Sequence, residues 1–406
     1  MNRILIPGKL MGQVAVPSSK SMAHRYLICA ALAKGESRVG NVSFSADIEA
    51  TLNGVAALGA EFSVFGKTVR VAGGSSKAKM DIDCGESGST LRFLIPIALA
   101  AGGGKAVTFR GHGRLMERPL DPYFGIFREK GIGWKKEGNA LTVEGRLPGG
   151  EYALSGRVSS QFVTGLLLAL SLLPDPSEIR ITDELQSKGY VDLTLSAMKA
   201  FGVTAENDGY RRFRLPGGQS YRAGDCRVEG DYSQAAFFLG ANFLGSRVQV
   251  LGMNPNSIQG DRAILSVLEA MKAPGECRVD AGEIPDLIPV LAVCAAGRKG
   301  KTLFYNAARL RLKESDRLDT TAALLKGLGG NVEEGEDFLT VLGEGTLQGG
   351  TADSFNDHRI AMAAAVAALN SDGAVTIRGA EAVDKSYPEF WDDFRNLAGR
   401  EAEDKL

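Results

Sequence analysis

Lys20, Arg25, Arg92 and Arg359 each stand at or near the start of an apolar, helix-length run. A cation in the first turn of a helix opposes the macrodipole and costs about 0.3–1 kcal/mol. The sign reverses when an anion binds at the same pole, because converging N–H groups there make a phosphate site. Arg adds a two-pronged grip on phosphate or carboxylate. For any one of the four, a side chain that snorkels to solvent is an equal alternative. Four in one chain point to strongly anionic small-molecule ligands. Two further stretches carry cations in clusters. "RLMERPL" sets Arg114 and Arg118 ahead of a proline, and "RLRLKESDRL" packs Arg309, Arg311, Lys313 and Arg317 around Glu314 and Asp316. Residues four apart share a helix face, so Lys313 and Arg317 are expected to converge. Asp286 in "IPDLIP" and Glu314 are the candidate proton carriers. From spacing alone, a solvated salt-bridged helix and an acid–base site both stay open for these stretches.

Six apolar runs must position these residues: "HRYLICAALAKG", "STLRFLIPIALAAG", "SQFVTGLLLALSLLP", "SQAAFFLGANFLG", "IPDLIPVLAVCAAG" and "FNDHRIAMAAAVAAL". Each reads as a helix packed on all sides, and each is followed by a short alternating strand such as "AVTFRGH" or "AVTIRGA". A more amphipathic helix and a hairpin-like pair come next in most copies. The units recur about every 70 residues, with one gap of about 55, which marks an internal repeat. Their lead-ins ("PSSKSMAHR", "CGESGSTLR", "GRVSSQ", "EGDYSQ", "GEIPD", "FNDHR") are rich in residues that cap helices. The last copy lacks its hairpin, and "RILIPGKLMGQVAVP" reads as two strands around Pro-Gly that would supply it. The expectation is an α/β protein of two similar domains, three repeats each: residues 1–18 plus 229–406, and 19–228.

The totals narrow the function. A chain of 406 residues exceeds one ordinary core. The net charge of -1 leaves no basic excess for a nucleic-acid surface, so anion-binding charge must be local. The five cysteines lie outside CxxC spacing and the three histidines are far apart, so neither a metal site nor a disulfide framework is expected. Apolar stretches reach about 12 residues, short of the ~20 a membrane span needs. With no presequence pattern at the N-terminus, the expected location is the cytoplasm. No GxGxxG after a strand, no GxxxxGK[ST] and no GxSxG appears, so nucleotide hydrolysis and hydride transfer lack support.

In order along the chain, "SKSMAHR", "SGSTLR", "RLMERPL", "SSQ", "SKGYVD", "IPD", "LKESDR", "NDHR" and "DKSYP" resemble the 5-enolpyruvylshikimate-3-phosphate (EPSP) synthases. The resemblance runs through nearly the whole chain. It implies an inside-out α/β barrel-like fold with buried helices whose N-termini face a cleft between two domains. It further implies transfer of the enolpyruvyl group of phosphoenolpyruvate to the 5-hydroxyl of shikimate 3-phosphate, without cofactor, by a monomer.

Residue by residue, the resemblance places Lys20, Ser21, Arg25, Ser159, Ser160, Gln161, Ser187, Tyr190, Asp286, Arg309 and Lys313 against shikimate 3-phosphate. Lys20, Gly88, Arg118, Gln161, Arg317, Arg359 and Lys385 fall to phosphoenolpyruvate. Asp286 matches the base for the 5-hydroxyl and Glu314 the group that protonates the methylene carbon, and Lys20, reaching both ligands, is the third catalytic residue the resemblance implies. Three positions depart from the common pattern: Glu86 and Arg309 stand where Asn is frequent, and Phe93 where Pro is frequent. UDP-N-acetylglucosamine enolpyruvyl transferases share the fold and the donor, but typical members carry a reactive Cys on a loop that reads "GHGRLMERPLD" here and has none. A catalytically silent anion-binding protein on the same fold is the other alternative.

Overall fold

The computed structural model describes residues 1–74 and 80–399. The chain divides into two compact units, Met1–Pro17 with Gly230–Leu406, and Ser18–Glu229.

Each of the three sheets in the Ser18–Glu229 unit has four strands on a single plan. A strand before a buried helix pairs parallel with the strand after it, and that strand accepts a hairpin antiparallel on its far edge. Asp81–Asp83 thus pairs with Val107–Arg110, which is followed across the sheet by Ala140–Glu144 and Gly133–Glu137. Gly150–Leu154, Ser177–Ile181, Arg212–Leu215 and Glu206–Asp208 repeat the order. For the first copy the leading strand is Asp225–Arg227, borrowed from the end of the unit to pair with Gly35–Gly40. Alternate residues of the central strands are buried, as in Val107–Arg110, so each sheet turns one face inward.

The other unit follows the plan in full only once, in Cys277–Asp280, Lys299–Tyr305, Leu339–Glu344 and Asn331–Glu334. Its remaining sheets are reduced, and the N-terminus completes both. Asn2–Leu5 pairs antiparallel with Val375–Arg378, whereas Met11–Ala15 pairs parallel with Arg247–Leu251. The two strands around Pro7–Gly8 therefore part instead of forming the expected hairpin. The cause is Leu10, buried between them: its N–H donates to Ser246 Oγ at 3.1 Å and its carbonyl accepts from Arg247 at 2.8 Å. That pins the chain to a second sheet before a turn can close.

The six apolar runs form helices Lys20–Leu32, Gly88–Ala101, Ser160–Leu170, Tyr232–Phe243, Ile288–Gly297 and His358–Ala368. All eleven residues of His358–Ala368 are buried. Small residues let these helices pack backbone to backbone. A Cβ at Gly240 would lie 2.8 Å from Val290, closer than van der Waals contact permits. Five of the six starts are closed by a side chain: Ser19, Ser87, Ser159, Asp231 and Asp357 each accept a backbone N–H of the first turn. Ile288–Gly297 has no side-chain cap and opens with Pro289 in its first turn. No helix among the described residues is long and apolar enough to cross a membrane.

Candidate active site

The capped helix starts gather the polar residues into two clusters, one in each unit. In the Ser18–Glu229 unit, Lys20 opens its helix and its ammonium meets Asp47 at 2.7 Å. Arg25, one turn on, is 2% exposed. Its guanidinium donates to the Ser21 carbonyl at 2.6 Å, the Tyr190 carbonyl at 2.8 Å and Thr194 Oγ1 at 2.8 Å. Burial draws its pKa down to about 10. Ser21, Arg25 and Tyr190 thus form one group. Ser187 caps the start of Lys188–Ala200 in the left-handed region, φ 56°, without a side-chain cap bond, and is buried. A non-glycine residue held there stores strain of about 1–3 kcal/mol.

Beside this group, Ser159 caps the helix that begins at Ser160, and its Oγ accepts from the Gln161 N–H. The Gln161 side chain bridges two neighbours: its oxygen accepts from Arg92 at 2.7 Å and its nitrogen donates to Ser89 at 3.1 Å. Arg92 lies over the Phe162 ring at 5.0 Å and donates to the Pro119 carbonyl. Pro119 follows Arg118, whose guanidinium packs on Gly88. A Cβ at Gly88 would come within 2.7 Å of Arg118 Nη1. Gly88, Arg118 and Gln161 therefore meet where the starts of two helices, Gly88–Ala101 and Ser160–Leu170, lie side by side, with Arg92 tying them together. Only Arg92's wrong-sign position marked it in the sequence.

The second cluster centres on Asp286. Its Oδ1 accepts from Arg317 Nη1 at 2.8 Å and Lys313 Nζ at 3.2 Å, and its Oδ2 from Arg359 Nη2 at 3.1 Å. Arg317 is 1% exposed and spends its other nitrogens on Asp357 at 2.8 Å and Glu314 at 2.5 Å. Burial opposes its charge, yet Asp357, Glu314 and Asp286 together raise its pKa above the ordinary value. Asp357 is the converse: burial works against the carboxylate, and Arg317 holds its pKa below the usual range. Lys313 is pulled down to about 8, chiefly by burial with Arg309 and Arg317 adding, against the opposing effect of Asp286. Arg309 is buried, with Nη1 3.4 Å from the Gly282 carbonyl. Lys385 Nζ donates to the Asn356 carbonyl at 2.7 Å. Phe355 and Asn356, at φ 51° and 55°, are both left-handed and aim that carbonyl.

Two expectations change here. Lys313 and Arg317 do converge on Asp286, but not along one helix face. The helix begins at Arg317 behind its cap Asp316, and Lys313 is extended backbone after the short Ala308–Leu312 turn. Nor is Arg359 an uncompensated cation at a positive pole, because Asp286 meets its guanidinium and Asp357 caps its helix. Three acidic partners escaped the sequence reading. Asp357 read only as a helix-start residue, and Asp47 fell in no stretch that the sequence singled out. Asp261, whose pKa burial and Asp286 push up to about 6 against Arg359 and the Ser233 hydrogen bond, gave no local sign.

The EPSP synthase (3-phosphoshikimate 1-carboxyvinyltransferase) family profile matches residues 4–394. A 3-phosphoshikimate 1-carboxyvinyltransferase of Clostridium novyi (strain NT) is 45% identical, with 97% of each chain covered. One from Clostridium perfringens (strain SM101 / Type A) is 46% identical over 98% of each. Among solved structures, the EPSP synthase of Acinetobacter baumannii superposes with a TM-score of 0.81 at 25% identity, over 98% of both chains. A family match over nearly the whole length, on two units of buried capped helices, settles the membership: this chain belongs to the EPSP synthase family.

Proposed function

We propose that the two clusters are the working parts of the reaction this family performs, transfer of the enolpyruvyl group of phosphoenolpyruvate to shikimate 3-phosphate with release of phosphate. Lys20, Ser21, Arg25, Ser159, Ser160, Gln161, Ser187 and Tyr190 hold the shikimate and its phosphate, joined by Asp286, Arg309 and Lys313. Lys20, Gly88, Arg118, Gln161, Arg317, Arg359 and Lys385 hold phosphoenolpyruvate. The chain works as a cytoplasmic monomer, with residues 19–228 and 1–18 plus 229–406 as its functional domains.

The observation that carries this reading is Asp286, a carboxylate clasped by Lys313, Arg317 and Arg359. Those three cations fix the carboxylate in place. When the oxyanions of phosphoenolpyruvate take up those cations, Asp286 is released to accept the proton of the 5-hydroxyl. Glu314 protonates the methylene carbon, the neighbouring carbon becomes electrophilic, and the 5-hydroxyl oxygen bonds to it as Asp286 takes the proton. In the second step the Glu314 carboxylate takes a proton back from the new methyl group, the carbon–carbon double bond re-forms, and the C–O bond to phosphate breaks. Fixed positive charge and orientation supply the rest.

Phosphate release from purified protein tests the reading. Turnover is expected only with phosphoenolpyruvate and shikimate 3-phosphate together. Release with a UDP-sugar acceptor, or none with either, would overturn it. Asp286→Asn is expected to bind both substrates while kcat falls by about 10²–10⁴; wild-type kcat would remove Asp286 from the mechanism.

A further inference from the structure

We propose that His24 is a positioning residue for phosphoenolpyruvate: through Thr51 and Thr90 it directs a one-way chain of hydrogen bonds to Ser87, the cap in front of Gly88. The role rests on the helix start at Gly88 belonging to phosphoenolpyruvate, as proposed, and it adds a residue outside both sets of ligand contacts. All four members are shut off from solvent, His24 at 1% exposed and Thr51, Thr90 and Ser87 at 0%. The chain links three helices of the Ser18–Glu229 unit, Lys20–Leu32, Ala46–Ala57 and Gly88–Ala101.

The direction of the chain follows from the hydrogens available. Thr90 Oγ1 donates to Ser87 Oγ at 2.8 Å. A hydroxyl has one hydrogen, so at the 2.6 Å contact between Thr51 and Thr90 the donor is Thr51. Thr51 is then spent as well, and at its 2.7 Å contact with His24 the ring Nδ1 donates. Burial, with Lys20 and Arg25 adding, holds the His24 pKa well below the ordinary imidazole range, so the ring carries a single proton. Nε2 agrees with this assignment. It is buried with no hydrogen-bond partner among the described residues, and a proton there would be an orphaned donor, which protein interiors avoid. The buried Phe93 ring meets the imidazole edge to face at 6.5 Å and restrains its plane. At the far end, Ser87 Oγ accepts twice from Thr90, from its hydroxyl and from its backbone N–H at 3.2 Å. The Ser87 carbonyl accepts from Leu91 at 3.1 Å. The N–H groups of Gly88 and Ser89 have no backbone acceptor among the described residues, so they are the orphan donors an anion can take at this pole. A Ser87 locked as acceptor fixes where they point. Without a donor at His24, Thr51 and Thr90 can turn their hydroxyls around, and the lock opens.

Steady-state kinetics of full-length Thr51→Val and Thr51→Ser separate positioning from packing. Valine keeps the shape of the side chain and breaks the hydrogen-bond chain, whereas serine keeps the hydroxyl and loses a methyl group. Thr51→Val is expected to raise the KM for phosphoenolpyruvate about threefold to tenfold. Its kcat and its KM for shikimate 3-phosphate should stay within about twofold of wild type, and Thr51→Ser should keep the wild-type values. A threonine that only packs predicts the reverse order, because serine gives up buried apolar contact. Should Thr51→Val fail to fold, the wild type still decides. Nitrogen-15 NMR of the histidine rings should show His24 with Nδ1 protonated and Nε2 bare throughout about pH 5–8. Its signals are picked out from those of the other two histidines by their loss in His24→Asn. A proton on Nε2, an imidazolium within that range, an unchanged phosphoenolpyruvate KM in Thr51→Val, or a Thr51→Ser variant as impaired as Thr51→Val overturns the chain. Absence of wild-type turnover with both substrates would instead overturn the family reaction, and the positioning role with it.

Discussion

Charge at single residues carries most of the chemistry. Lys313 is the clearest case, because burial sets its pKa at about 8 where the ordinary value is 10.5. Its charge is therefore lost as pH rises through about 8. The KM for shikimate 3-phosphate is expected to climb between pH 7 and 9 in the wild type and to stay high and flat in Lys313→Gln. An unchanged slope in the variant would take Lys313 out of substrate binding. The stability effect has the opposite sense. Between about 8 and 10.5 the unfolded chain binds more protons at this residue than the folded one, so its contribution to stability rises with pH. Glu86 is a second case. A Cβ at Gly113 would come within 2.6 Å of Glu86 Oε2, so this carboxylate sits on the loop that leads to Arg118. It stands one residue before the Ser87 cap, near the pole of Gly88–Ala101, where negative charge interacts favourably with the helix by about 0.3–1 kcal/mol. On the proposed assignment of Gly88 and Arg118, phosphoenolpyruvate shares that pole. Glu86→Gln is expected to lower the KM for phosphoenolpyruvate about threefold to tenfold, lower the Tm slightly, and leave the KM for shikimate 3-phosphate unchanged. A rise in the phosphoenolpyruvate KM would refute the repulsion.

Among the elements, the helix starts decide the geometry. Gly88 is the second residue of "SGS" and lies where Arg118 packs directly on the helix backbone. An added methyl meets only the far end of a flexible side chain, so the fold yields by moving the guanidinium. Gly88→Ala is therefore expected to raise the KM for phosphoenolpyruvate at least about tenfold, while ΔG of unfolding changes by under about 1 kcal/mol. Steady-state kinetics and a thermal melt check both halves, and an unchanged KM would show that Arg118 does not need that position. The six buried helices were legible in the sequence because apolar runs closed by Gly, Pro or polar stops are local signals. The separation of the first two strands was not legible. The choice between a hairpin and two sheets lies in Ser246 and Arg247, more than two hundred residues away, which pair with Leu10.

The largest scale is that of the units. Ser18–Glu229 is continuous in sequence, and its first sheet is completed from its own end by Asp225–Arg227. Expressed alone, this segment is expected to melt cooperatively and to bind shikimate 3-phosphate without turnover. Calorimetry and a thermal melt test this, and the absence of a cooperative transition would show that the unit depends on the rest of the chain. The sequence by itself determined the repeat, the buried helices, their polar starts and the local excess of cations, because each follows from the periodicity and charge of neighbouring residues. Tertiary structure alone decided which charges meet. Arg317 with Asp357, Arg359 with Asp286 and Lys20 with Asp47 are pairs 40, 73 and 27 residues apart. No local rule sets such a pairing, which depends on where buried helices come to rest against one another.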